Sequence, residues 1–138
     1  MKKFLFAILI LLTISINDYA QNIDTTDTTN KDNEPIFSIV EEPAQFPGGD
    51  EALLKFIRKN IKYPKQAIKN KISGTVYVQF VVEKDGSISD IKVARGIGGG
   101  CDEEAVRVIT KMPNWIPAKR KGMPVRFFYV IPITFALP

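Results

Sequence analysis

Gly74-Thr75-Val76-Tyr77-Val78-Gln79-Phe80-Val81-Val82-Glu83, followed by Lys84-Asp85-Gly86, is the stretch on which the fold turns. The run from Thr75 to Glu83 is rich in β-branched and aromatic residues and apolar at nearly every position, as a central strand would be. Asp85-Gly86 is a strong hairpin signal, because a tight two-residue turn needs positive φ and these residues accept it. The chain should then return through Ser87 to Ala94. There Ile88, Ile91 and Val93 break strict alternation, which predicts a bulge near Ser89-Asp90.

Upstream of this hairpin, Gly48-Gly49 supply a turn and Asp50 can cap a helix running to about Asn60. Leu53, Leu54, Ile57 and Ile61 recur at helical spacing, and Lys55, Arg58, Lys59 and Lys62 lie mostly on the other side. Pro64 pushes Tyr63 toward an extended conformation and can open a second short helix through Asn70, with Ala67 and Ile68 facing inward. Downstream, Gly96 to Gly100 reads as a flexible loop. Asp102 can cap a third helix from Glu103 to Met112, with Ala105, Val108, Ile109 and Met112 on one stripe and Pro113 stopping it. Trp115 is a core anchor with Met112 and Phe135 as expected neighbours. After the basic turn Lys119-Arg120-Lys121-Gly122, a last strand runs from Val125 to Leu137, interrupted by Pro132.

The element order is therefore helix, helix, strand, strand, helix, strand, an α+β pattern. The hairpin makes the first two strands antiparallel. A right-handed crossover through the third helix lays the last strand parallel to the second and places the first between them. This predicts a three-stranded antiparallel sheet of order 2-1-3 with the last strand on an edge. Pro132 agrees, because it has no N–H to give to a ladder bonded on both sides. With Pro132 facing outward, Phe128, Val130, Thr134 and Ala136 present their backbone groups to the open edge, and Phe127, Tyr129, Ile131, Ile133 and Phe135 bond inward.

With 138 residues and 45% apolar content, the chain has room for one small domain. Met1-Lys2-Lys3 followed by the apolar or hydroxyl run Phe4 to Ile16 has the layout of a secretory signal and is short for a membrane span. Cleavage after Ala20 is the natural choice, with a second candidate near Thr13 and Ser15; an uncleaved segment would act as a weak anchor. The expected organisation is a signal peptide over 1–20, a disordered acidic tether over 21–38 and a folded domain over 39–138, with ordered chain beginning near Ile36. From Gln21 to Glu42 there are six acids against Lys31 alone, whereas Pro43 to Pro138 holds sixteen Lys or Arg against eight acids. Export argues against nucleic acid as the partner of this basic domain and favours a solvated basic face or acidic protein and membrane surfaces. The one cysteine, Cys101, excludes an internal disulfide, a thiolate metal cluster and a lipid at the processing site.

Phe46-Pro47-Gly48-Gly49, Tyr63-Pro64 with Ala67, Gly74-Thr75-Val76, Asp85-Gly86, Asp102-Glu103-Glu104-Ala105, Trp115-Ile116-Pro117-Ala118, Gly122-Met123-Pro124-Val125 and Pro132-Ile133-Thr134-Phe135 together resemble the carboxy-terminal domain of TonB-type energy transducers. The resemblance covers about Glu42 to Leu137. It implies a three-stranded antiparallel sheet with helices packed on one face. It also implies a role in gripping the extended TonB box of TonB-dependent outer-membrane receptors, which adds as a strand beside the last strand of the sheet. Carried over by position, the partner-binding residues are Lys62, Tyr63 and Pro64 and the outward backbone of Phe128, Val130 and Thr134. The chain departs from a full transducer in having no histidine, a short apolar run and no Pro-rich spacer. Residues 21–38 fully stretched reach about 60 Å at ~3.3–3.6 Å each, well short of the outer membrane from an inner-membrane anchor. Inner-membrane motor proteins would therefore act through other subunits.

The same edge can serve self-association, so a homodimer, or an envelope accessory protein using it for another protein partner, is the alternative reading. No catalytic apparatus and no cofactor are expected. Gly96 to Gly100 lacks the Lys-Ser/Thr ending of a phosphate loop, and Glu103 and Glu104 would repel an anion. Cys101 has no histidine to activate it. Asp102, Glu103 and Glu104 at a helix start suit dipole stabilisation better than acid and base work.

Overall fold

The apolar run at 74–82 forms the strand around which the rest is built, with Val76, Val78, Phe80 and Val82 fully buried on one face. The computed structural model describes residues 34–138; the expected signal peptide over 1–20 and the expected tether up to residue 33 lie outside the described residues. The elements are β1 (Ile36–Phe37), α1 (Gly49–Asn60), α2 (Lys65–Lys69), β2 (Gly74–Val82), β3 (Ile88–Arg95), α3 (Cys101–Thr110), β4 (Ala118–Arg120) and β5 (Met123–Phe135).

The mixed α+β class is as expected, but the sheet has five strands instead of three. Its order is β1-β5-β2-β3 with β4 beside β5, which differs from the expected three-stranded order 2-1-3 by the two short strands added to β5. The pairings explain the difference. β2 is antiparallel to β3 on one side and to β5 on the other, from Gly74↔Phe135 to Val82↔Phe127. The two short additions, β1 and β4, both attach to the first part of β5. Each is too short for its own hydrophobic period to announce it.

Asp85-Gly86 makes the hairpin: the Glu83 N–H donates to the Ser87 carbonyl at 2.8 Å and Gly86 N–H to the Glu83 carbonyl at 2.9 Å. Asp85 Oδ1 accepts from both the N–H and the hydroxyl of Ser87. The β2–β3 register shifts between Gln79↔Lys92 and Val81↔Ser89, and Asp90 adopts φ 50°, so the bulge lies where the broken alternation predicts it.

Helix starts differ from expectation. Neither Asp50 nor Asp102 caps; Gly48 (φ 90°) and Gly100 (φ 88°) stand at the N-caps in the left-handed conformation that glycine adopts without strain. Leu53 and Ala67 are buried as expected, but Leu54 and Ile68 are 51% and 44% exposed. On such short helices the buried stripe is narrow, and the adjacent position turns out to solvent. Arg107 ties α3 to α1, ion-pairing with Glu104 and donating to the Asn60 carbonyl at 2.8 Å. All three helices send residues into one core against the even positions of β2 and the odd positions of β5, so they share one face of the sheet.

Trp115 is 3% exposed and anchors that core, but against Phe46, Phe80 and Tyr129 at ring separations of 5.6, 5.5 and 5.0 Å. Phe135 packs elsewhere, edge-on to Tyr63. The Trp115 N–H donates to the Gly86 carbonyl at 2.8 Å, latching the segment before β4 to the hairpin turn.

Candidate functional site: the outer border of β5

β5 alternates strictly in its second half: Ile131, Ile133 and Phe135 are buried among the helices, whereas Val130, Pro132 and Thr134 are exposed on the helix-free face. β2 occupies one flank of β5 from 127 to 135. On the other flank β1 runs parallel to it at Ile36↔Arg126 and Phe37↔Phe127. β4 pairs with Met123 to Val125. Among the described residues, no strand pairs with the outer flank of β5 from Phe128 to Phe135. The expectation of a wholly open edge is therefore corrected at its start, where β1 covers Arg126 and Phe127.

The residues singled out in the sequence come to this border in two groups. Phe128 is half-buried opposite Val81, Val130 is 42% exposed opposite Gln79, and Thr134 lies opposite Thr75, with their hydroxyls 3.1 Å apart. Tyr63 reaches the far end of the same strand. Its ring meets Phe135 edge-on at 5.5 Å between centroids, and its hydroxyl donates to the Ile72 carbonyl. Burial pushes the Tyr63 phenol up, with Cys101 adding to the rise. Its polar tip is thus used inside the fold. Pro64 stands at the N-cap of α2, close enough to Gly100 that a Cβ there would lie 3.3 Å from the proline Cβ. Lys62 is exposed beside them.

An ion pair at the start of the border was not legible in the sequence. Arg126, 7% exposed, donates through Nε to Glu83 Oε2 at 2.9 Å and through Nη2 to Oε1 at 3.1 Å. Glu83 Oε1 also accepts from the Ser89 hydroxyl at 2.5 Å, and Asp90 Oδ2 lies 3.9 Å from the guanidinium. Glu83 directly follows β2 and Arg126 lies on β5, both in phase with the helix-free face, so the pair fixes β5 against the β2–β3 hairpin. Charges taken from water need such bidentate pairing to be tolerated. Nearby, Arg120 sits over the Phe37 ring at 4.9 Å.

Other candidates resolve into structure. The carboxylate of Asp102 accepts from the N–H groups of Ile97 at 2.8 Å and Gly98 at 3.2 Å, so the glycine loop is pinned by the chain's own acid. Gly96 leaves room for that bond, because a Cβ there would lie 2.2 Å from the Asp102 carboxylate and push it aside. Cys101 is fully buried, and burial followed by Asp102 and Glu103 pushes its thiol up, away from the reactive thiolate. No group of three metal-ligating side chains occurs among the described residues.

Residues 59–137 match the family described as the Gram-negative bacterial TonB protein C-terminal. Two solution structures of the Helicobacter pylori TonB carboxy-terminal domain are similar to the chain. That of residues 194–285 is 26% identical, covering 62% of this chain and 90% of its own at a TM-score of 0.46. That of residues 179–285 is 27% identical, covering 67% and 87% at 0.48. No curated protein matches the chain. The family match spans more than half of the sequence and takes in every element from the end of α1 to the end of β5, and the chain belongs to the TonB carboxy-terminal domain family.

Proposed function

We propose that this protein is an exported, periplasmic TonB-like domain that binds TonB-dependent outer-membrane receptors by adding their extended TonB box as a strand to the outer border of β5. The family is a non-enzymatic one whose members generally interact with outer-membrane receptors. The observation that carries the reading is the run from Phe128 to Phe135, which has no strand partner on its outer flank among the described residues.

Neighbouring residues of a strand turn their N–H and C=O to opposite sides. Pro132 has no N–H, so a ladder to β2 unbroken opposite Tyr77 bonds through the odd-numbered residues and leaves Phe128, Val130 and Thr134 turned outward. A guest strand draws its affinity from these main-chain groups and its selectivity from side chains on either side. Tyr63 then acts by shaping the end of the border through Phe135, with Lys62 and Pro64 beside it as contacts. The signal over 1–20 directs export, and the tether, expected over 21–38, ends before β1, because Ile36 and Phe37 are paired with β5. No helix among the described residues is long and apolar enough to cross a membrane.

Replacing Val130 by proline removes one outward donor without touching the core-facing residues. A lost hydrogen bond and the ring's intrusion together should weaken binding of a TonB-box peptide about tenfold or more, since each bond contributes about 0.5–1.5 kcal/mol. Isothermal titration or fluorescence anisotropy measures it. Equal affinity for both forms would remove strand addition as the mode.

A further inference from the structure

The start of the docking border is taken by the chain itself. β1 lies parallel to β5 and ends at Phe37↔Phe127, immediately before the stretch that has no partner among the described residues. It is two residues long, Ile36 is 45% exposed, and the Arg120 cation sits over the Phe37 ring. Beyond it the chain bends at Ser38, Ile39 stands 89% exposed, and Val40 turns into the core. The next backbone contacts are at Glu42 with Lys119 and Gln45 with Ile116, on β4 and the segment before it. A parallel strand prolonged in the same register would set Ser38 to Val40 beside Phe128 to Val130, the ground proposed for the guest. β5 itself is held independently, by its nine-residue ladder to β2 and by the Glu83–Arg126 pair.

We propose that β1 is an intramolecular competitor for the docking border, shortening it from residues 126–135 to residues 128–135. A guest strand long enough to reach Arg126 must displace β1, and loosening β1 lengthens the border. This rests on the strand-addition reading above.

The test uses the full chain and two synthetic TonB-box peptides, one of ten residues and one of six. Phe37→Pro removes both the backbone donor and the ring under Arg120. It should tighten the ten-residue peptide about three- to tenfold, the gain of one or two hydrogen bonds no longer contested, and leave the six-residue peptide unchanged. Arg120→Ala, which leaves the β1 backbone intact, should act in the same direction by a smaller factor and serves if the proline variant proves unstable by circular dichroism. Unchanged or weaker binding of the long peptide in the folded variants overturns the competitor role while leaving strand addition in place. Failure of the wild-type chain to bind either peptide overturns strand addition itself, and the competitor role with it.

Discussion

Replacing Gly86 by alanine probes the contact that joins the β2–β3 hairpin to the Trp115 segment. Gly86 has φ +86°, and a Cβ on it would lie 2.1 Å from the Trp115 carbonyl oxygen, a backbone atom that cannot swing aside. Alanine in the left-handed region costs about 1–2 kcal/mol. Moving Trp115 away breaks the 2.8 Å bond from its N–H to the Gly86 carbonyl and leaves a buried donor unsatisfied, about 1–3 kcal/mol more. The sum, about 2–5 kcal/mol, is a large part of the ~5–15 kcal/mol that holds a domain of this size. At about 4–8 °C per kcal/mol the midpoint should fall by at least ~8 °C. Trp115 is the only tryptophan, so its emission follows the same event directly in a urea or heat titration. A loss under about 1 kcal/mol with native Trp115 emission would show that the latch does not couple the hairpin to the core.

Breaking the buried pair by Glu83→Gln should cost about 3–5 kcal/mol in chemical denaturation, whereas exchanging both residues together, Glu83→Met with Arg126→Leu, should cost far less. A double exchange as damaging as the single one would speak against a charge left unpaired. Tyr63→Phe should lose about 0.5–1.5 kcal/mol through the Ile72 carbonyl and barely alter peptide affinity, because the ring that abuts Phe135 remains; a tenfold loss of affinity without loss of stability would instead assign the hydroxyl to the partner. The Cys101 thiol and the Tyr63 and Tyr129 phenols are all raised from ordinary values of 9.0 and 10.0 by burial. The unfolded chain therefore loses these protons first, so the stability they carry is whole below pH 9.0 and drains away as pH climbs past 9.0 and 10.0. Urea midpoints at about pH 8 and about pH 10.5 measure it, with a smaller fall expected for Cys101→Ala; an identical fall in that variant would exonerate the thiol.

What could be read in advance was what short-range chemistry dictates. The central strand follows from its β-branched run, the hairpin from Asp85-Gly86, the bulge from the misplaced Ile91, and the third helix from Ala105, Val108 and Ile109. The glycines at 48 and 100 were visible as turns, but an acid two residues on looked like the better cap, and only the backbone angles decide between them. β1 and β4 were illegible because two or three residues carry no period; partners distant in sequence make them strands. The same holds for Glu83 and Arg126, 43 residues apart and meeting only once β2 and β5 are in register. Of the site, the border strand and the placing of Tyr63 near it were foreseeable from Pro132 and Tyr63-Pro64. The partial cover over its first residues was not.

The two margins of the sheet are unlike. β3 carries two register breaks, a positive φ at Asp90 and the charges of Asp90, Lys92 and Arg95, features that resist annealing to another chain. β5 is regular along its whole ladder. Among the described residues, a sheet open to pairing along β5 and guarded along β3 can join one neighbour but offers no second margin on which a stack could grow. Copies that met margin to margin would form a closed pair related by a two-fold axis, and assembly would end there, short of any fibril.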